Sequence, residues 1–89
     1  MLFMVIEHFK QGAEPIGERF RRSGRMMPEG LTYHASWIDS SDVRCFQLME
    51  APNQELLNVW TSHWNDLMDF EITPVLTSTD FWADFWSRR

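Results

Sequence analysis

The sequence predicts a single α+β domain in which strands and helices follow the order βαββαβ. Three observations lead to this prediction. A chain of 89 residues has room for one small core, its apolar segments switch between strand-like and helix-like spacing, and Pro74 marks the last strand as an edge strand. The composition is 44% hydrophobic, 15% aromatic and 24% charged, which is typical of a folded protein and not of a disordered one.

The first elements are a strand and an amphipathic helix. Residues 2–9 are rich in β-forming side chains, and Gly12 follows as a breaker. Pro15 suits a first helical turn, where its missing N–H needs no partner. Apolar residues then recur at helical spacing as far as Met27, so we expect the helix to end just before Pro28.

A hairpin and a second helix come next. Residues 31–38 and 43–51 are strand-like, and the polar residues 39–42 between them form a turn. Asn53 is a suitable N-cap for the second helix. Its apolar stripe comprises Leu56, Leu57, Trp60, Trp64, Leu67 and Met68.

The chain ends with an edge strand and an aromatic tail. Residues 70–76 alternate in polarity and contain Pro74, which cannot donate to a neighbouring strand. Thr79 and Asp80 are expected to cap a short C-terminal helix whose end carries Arg88 and Arg89. We therefore divide the chain into a domain of residues 1–77 and a helical tail of residues 78–89. The tail aromatics, which should pack on the domain or on a partner, are Phe81, Trp82, Phe85 and Trp86.

Right-handed crossovers arrange these elements most simply as an antiparallel sheet of order 4-1-3-2 with both helices on one face, the ferredoxin-like topology. Alternation then gives each face one set of residues. The set expected beneath the helices is Met4, Ile6, Tyr33, Trp37, Phe46, Leu48, Phe70 and Ile72. The opposite set is Phe3, Val5, Glu7, Thr32, His34, Ser36, Cys45, Gln47, Met49, Glu71, Thr73 and Val75. Because this second set is too apolar for water, we expect a second copy to cover it and form a dimeric barrel.

Several segments also resemble a known group of proteins. They are residues 1–9, 30–33, 44–50 and 70–76 together with Trp60 and Trp64, and they look like a small bacterial family of unknown function that is grouped with the dimeric α/β-barrel proteins. The resemblance covers roughly residues 1–77 and leaves the tail unmatched. It implies a ferredoxin-like dimer but no catalytic residues, since the wider superfamily includes monooxygenases, isomerases and chlorite-reducing enzymes.

The candidate ligand-binding residues are Glu7, His34, Gln47 and Glu71, all expected on the partner-facing side of the sheet. A buried carboxylate beside an imidazole can hold a proton near neutral pH, and Gln47 could orient a carbonyl. The alternative is that these groups only fix the register of the dimer.

Other candidates have plainer interpretations. His63 borders the apolar stripe of the second helix and is the best candidate for a haem ligand, although a solvated histidine is the commoner case. We expect no cofactor and no metal site. Cys45 is interpreted as a small buried hydrophobe. The arginines of the first helix are interpreted as a solvated face, with an anion site as the less favoured alternative: Arg19, Arg21, Arg22 and Arg25.

Charge and motifs narrow the function only partly. The net charge of −5 opposes binding to nucleic acids and anionic membranes, and a single cysteine with no apolar leader indicates a cytoplasmic protein. No short nucleotide, zinc or hydrolase motif occurs. Three classes stay open: a homodimer that binds a small organic ligand in its barrel, a cofactor-free or haem-dependent monooxygenase or isomerase, and an interaction module that uses the aromatic tail.

Overall fold

The computed structural model describes residues 1–41 and 43–88, and within them the elements follow the expected order. Asp42 of the expected turn and Arg89 of the expected helix end lie outside these residues. The elements are β1 (Leu2–Phe9), α1 (Glu14–Ser23), β2 (Thr32–Ile38), β3 (Arg44–Glu50), α2 (Gln54–Thr61), β4 (Met68–Val75) and α3 (Ser78–Ser87). None of the described helices is long and apolar enough to cross a membrane.

The four strands form one antiparallel sheet in the order β2-β3-β1-β4. Counted from the other edge, that order is β4-β1-β3-β2. The central strands are therefore β1 and β3, and Pro74 lies on an edge strand, where a missing backbone N–H is tolerated. Residues of α1 and α2 share one core with the sheet, so both helices cover the same face.

The face of β1 and β3 that the helices cover is the opposite of the one we expected. Phe3, Val5 and Met49 are 0% exposed and pack with Leu57 and Trp60. Met4, Ile6, Phe46 and Leu48 are on the uncovered side and only partly buried. Both sets are apolar, so hydrophobic alternation could not decide which of them the helices would bury.

The outer strands bring a second correction. In β2 a bulge between Tyr33 and Ala35 shifts the alternation, so Tyr33 packs against the core as expected while Trp37 lies on the uncovered face, 57% exposed. In β4 the prediction is confirmed, since Phe70 and Ile72 pack against the core.

Both α1 and α2 are shorter than expected. The chain leaves α1 at Gly24, whose φ of 67° is readily adopted only by glycine, so Met27 is not helical. Asn53 caps α2 as predicted by accepting the Leu56 N–H at 3.1 Å. The helix stops at Thr61, turns follow, and Met68 already begins β4.

The tail forms the expected helix, α3, but Thr77 caps it, in place of Thr79 or Asp80, by accepting the Asp80 N–H at 3.0 Å. No described residue of α3 is buried. Its aromatic rings contact one another at centroid distances between 4.9 and 6.3 Å. Phe81, Trp82 and Trp86 remain 46%, 49% and 65% exposed, so the single chain gives them little cover.

Candidate functional site

A cavity of about 350 Å³ lies between the sheet and the two covering helices. Ile16 and Phe20 of α1 line one side, and Trp60 and Trp64 line another. The sheet contributes the polar side chains of the floor, which are Glu7, Ser36, Cys45 and Gln47. The cavity is thus mostly apolar with a few polar groups on one wall, which is the usual composition of a small-molecule site.

Strand register places three of the four polar floor residues on the two central strands. Glu7 pairs with Cys45 and Val5 pairs with Gln47, and alternation directs all four toward the helices. Glu7 is 6% exposed and Gln47 is 4% exposed. The side-chain N–H of Gln47 donates to the Met49 sulfur, which is a weak acceptor, at 3.2 Å. This bond does not use the amide oxygen, which can accept from other partners.

Burial changes the acid–base properties of this floor. Removal from water raises the pKa of Glu7 to about 7, although the Cys45 thiol and the Arg25 charge both favour its ionised form. Burial and the neighbouring Glu7 raise the pKa of Cys45 to about 12. Glu7 can therefore accept or release a proton near neutral pH, whereas Cys45 stays a thiol and is not an activated nucleophile.

Arg25 also lines the cavity, and its main chain holds two of the cavity's aromatic residues. The indole N–H groups of Trp60 and Trp64 both donate to the Arg25 carbonyl oxygen, at 2.9 and 3.1 Å. The guanidinium carbon lies 3.7 Å from the ring centre of Tyr33 and 5.0 Å from that of Phe20. These contacts fix both the backbone and the charged group of Arg25 beside the cavity.

The sequence reasoning grouped Arg25 with the solvated arginines of α1 and did not place it at this cavity. A signal was present, because Gly24 can end a helix and so separate Arg25 from that face. Arg19 also departs from the expectation. Both its terminal nitrogens donate to the Asp66 carboxylate at 2.7 Å, and it donates to the His63 carbonyl at 3.0 Å.

Of the four expected binding residues, the cavity brings together Glu7 and Gln47 only. His34 lies at the β2 bulge, exposed, with its Nε2 2.8 Å from Glu50 Oε1. Glu71 is exposed on β4, 2.5 Å from His8 Nε2. The two pairs of expected residues are separated by the sheet, because the helices cover the Glu7 face.

His63 does not line the cavity. It is exposed in the turns that follow α2, so it is not positioned to ligate a group held over the sheet. Within residues 1–41 and 43–88, no group of three or more His, Cys, Asp or Glu side chains is arranged to hold a metal ion.

Comparison with known protein families identifies a family for this chain. A family model described as a domain of unknown function (DUF3303) matches residues 1–85. The match continues into α3, beyond residue 77, where the resemblance seen in the sequence ended. A search of curated proteins and a search of solved structures each find nothing that matches the chain.

Proposed function

The chain belongs to the DUF3303 family, and we propose that it binds a small organic molecule in the cavity between the sheet and helices α1 and α2. The observation that carries this proposal is the burial of Glu7 and Gln47 at the floor of an apolar cavity. Burying such groups costs free energy, and that cost is commonly tolerated where the groups serve a ligand. A volume of about 350 Å³ falls at the small end of the range for such sites.

Nuclear magnetic resonance can test this proposal with indole as a neutral aromatic probe. Binding should shift the indole N–H signals of Trp60 and Trp64 and leave those of Trp82 and Trp86 unchanged. Gly17→Leu should abolish the shifts, because Gly17 lines the cavity and its added Cβ meets no atom within 4 Å.

The matched control is Arg21→Leu, since Arg21 is on the same helix with a side chain 82% exposed. It should bind indole like the unmodified protein. Signal changes confined to the α3 tryptophans, or equal binding by Gly17→Leu, would contradict the proposal.

A second candidate is an enzyme that moves a proton on a bound carbonyl compound, as isomerases and some monooxygenases do. The pKa of Glu7 near 7 favours it, because a base works best when its pKa is close to the ambient pH. In this reaction Glu7 takes a proton from carbon, and the Gln47 amide, which lies on the same floor, orients the carbonyl.

Hydrogen exchange of acetophenone in D₂O tests the second candidate. The protein should accelerate exchange of the methyl hydrogens, with a rate that rises through pH 7 as Glu7 ionises. Glu7→Gln should lose this acceleration and still bind indole. Exchange that persists in Glu7→Gln would assign the base elsewhere.

For oligomeric state we propose a homodimer formed through the uncovered sheet face. Its apolar centre consists of Met4, Ile6, Phe46 and Leu48 on the central strands, with Trp37 beside them. Its rim carries opposite charges at its two ends, from Arg44 and Glu50 on β3. A two-fold axis that reverses the strand direction would bring Arg44 over the partner's Glu50, so a second copy matches this surface.

Sedimentation at micromolar concentration tests the dimer. Trp37→Glu should give a folded monomer, because the Trp37 side chain is already largely exposed in one chain. Val59→Glu is the control, since Val59 is 50% exposed on α2, on the covered side of the sheet.

A chain that ends at Thr77 tests the proposed division into residues 1–77 and 78–89. This chain should fold and dimerise if the tail is a separate unit.

A further inference from the structure

We infer that the ligand of this cavity is a small aromatic carboxylate whose charged group pairs with the guanidinium of Arg25. The inference rests on the proposed function and adds the chemical class of the ligand. It is carried by the position and the bonding of Arg25.

The guanidinium of Arg25 forms no close ion pair with a described residue, although its charge acts on Glu7 from a longer distance. Other arginines pair with carboxylates, as Arg19 does with Asp66 and Arg44 with Asp39, both within 2.8 Å. Arg25 instead contacts the rings of Phe20 and Tyr33, and no hydrogen bond joins its guanidinium to another described residue. A planar carboxylate satisfies two of those donors at once.

The backbone holds Arg25 in place at an energetic cost. Gly24 has a φ of 67° and Met26 a φ of 58°, so the residues on both sides of Arg25 have a positive φ. For methionine that conformation is unfavourable and needs support from the surrounding structure. The support comes from Trp60 and Trp64, which both donate to the Arg25 carbonyl.

The rest of the cavity suits a flat apolar body. Phe9, Phe20, Trp60 and Trp64 contribute aromatic surface to its lining. Among the described lining residues, the acidic one is Glu7 and the basic one is Arg25. Burial raises the pKa of Glu7 to about 7, so below that pH the cavity contains a positive charge that no ionised acid in its lining balances.

The test compares 2-naphthoate with 2-naphthamide, which have the same ring system and differ in charge. At pH 6 the protein should bind 2-naphthoate at least tenfold more tightly, with both probes shifting the Trp60 and Trp64 indole signals. Arg25→Met keeps an unbranched side chain as far as the position of Nε, and it keeps the backbone carbonyl. It should reduce the preference to within twofold and leave the affinity for 2-naphthamide unchanged.

Two further variants make the result specific. Arg21→Met removes an exposed charge from α1 and should keep the full preference. Arg25→Lys keeps the charge but not the planar donor pair, so it should retain part of the preference. A lysine variant that behaves like Arg25→Met would contradict the inference even if the methionine variant is poorly folded.

The same titrations separate this inference from the proposed function. If both probes bind equally well and shift the Trp60 and Trp64 signals, the carboxylate inference is wrong and the binding function stands. If neither probe shifts those signals in the folded protein, the proposed function itself fails.

Discussion

The two faces of the sheet are similar in hydrophobicity but differ in what covers them. Beneath the helices, Phe3, Val5 and Met49 are fully buried, and the polar groups of Glu7 and Gln47 are buried with them. On the other face apolar side chains such as Ile6, Phe46 and Leu48 are only partly buried. Buried polar groups, and not apolar content, therefore distinguish the face that holds the candidate site.

The physical reason is the cost of taking polar groups out of water. An uncovered polar side chain keeps its hydration, as His34 and Glu71 do, and its position says little about function. Glu7 loses most of its hydration, and its raised pKa records that loss. Burial beneath the helices and polarity together therefore identify the candidate site. The sequence did not show which face of the sheet the helices bury.

The largest expected difference between the two faces is in how much a large-to-small substitution lowers the free energy of unfolding. Phe3→Ala should lower the free energy of unfolding by about 3 to 5 kcal/mol, because it opens a space in a fully buried core. Phe46→Ala, on the uncovered face of the neighbouring strand, should cost clearly less in a single chain. Urea unfolding of both variants measures the difference.

Protein concentration adds a control to that pair. If the uncovered face forms a dimer, the effect of Phe46→Ala should grow with protein concentration while that of Phe3→Ala stays large at every concentration. Equal losses at low concentration would mean that both faces are covered within one chain.

The next largest effect concerns pH and the buried acid. Between about pH 4.5 and 7 the folded chain keeps a proton on Glu7 that the unfolded chain has released. Stability should therefore fall as the pH rises through this window and level off above it. Glu7→Gln should remove the fall and raise the free energy of unfolding at pH 8 by up to about 3 kcal/mol.

Urea unfolding at pH 5 and pH 8 checks this prediction. Glu29→Gln is the matched control, because Glu29 is exposed in the loop before β2 and should leave the pH dependence unchanged. A Glu7→Gln variant with the same fall as the unmodified protein would show that Glu7 is hydrated and that the cavity is open to water.

Local signals were enough to predict much of this fold. The bounds of β1, the cap at Asn53 and the edge position of the Pro74 strand all depend on a few neighbouring residues. Crossover geometry then gave β1 and β3 the two central positions. For the candidate site, the sequence identified Glu7 and Gln47 as buried polar residues but grouped them with His34 and Glu71.

The rest depends on contacts between distant segments. Which face the helices cover is decided by packing, and in this chain both alternating sets are apolar. The bulge at His34 changes which residues of β2 share a face, and no neighbouring residue in the sequence predicts this bulge. Arg25 becomes part of the cavity because Trp60 and Trp64, 35 and 39 residues away, bind its carbonyl oxygen.

The smallest expected effect extends the comparison from strands to helices. Both α2 and α3 have a capping side chain at their N-terminus. However, α2 covers the sheet and buries Leu57 and Trp60, whereas no described residue of α3 is buried. Asn53→Ala should lower the free energy of global unfolding by about 1 kcal/mol, since losing that cap weakens a helix that is part of the core. Thr77→Ala removes the equivalent hydrogen bond from α3, where fraying exposes little new surface, so we expect a change in the free energy of unfolding within about 0.5 kcal/mol.

Far-ultraviolet circular dichroism should still show some loss of helix in Thr77→Ala. Equal destabilisation by the two substitutions would mean that α3 is covered as well, and in a dimer its aromatic face would then lie against the second copy.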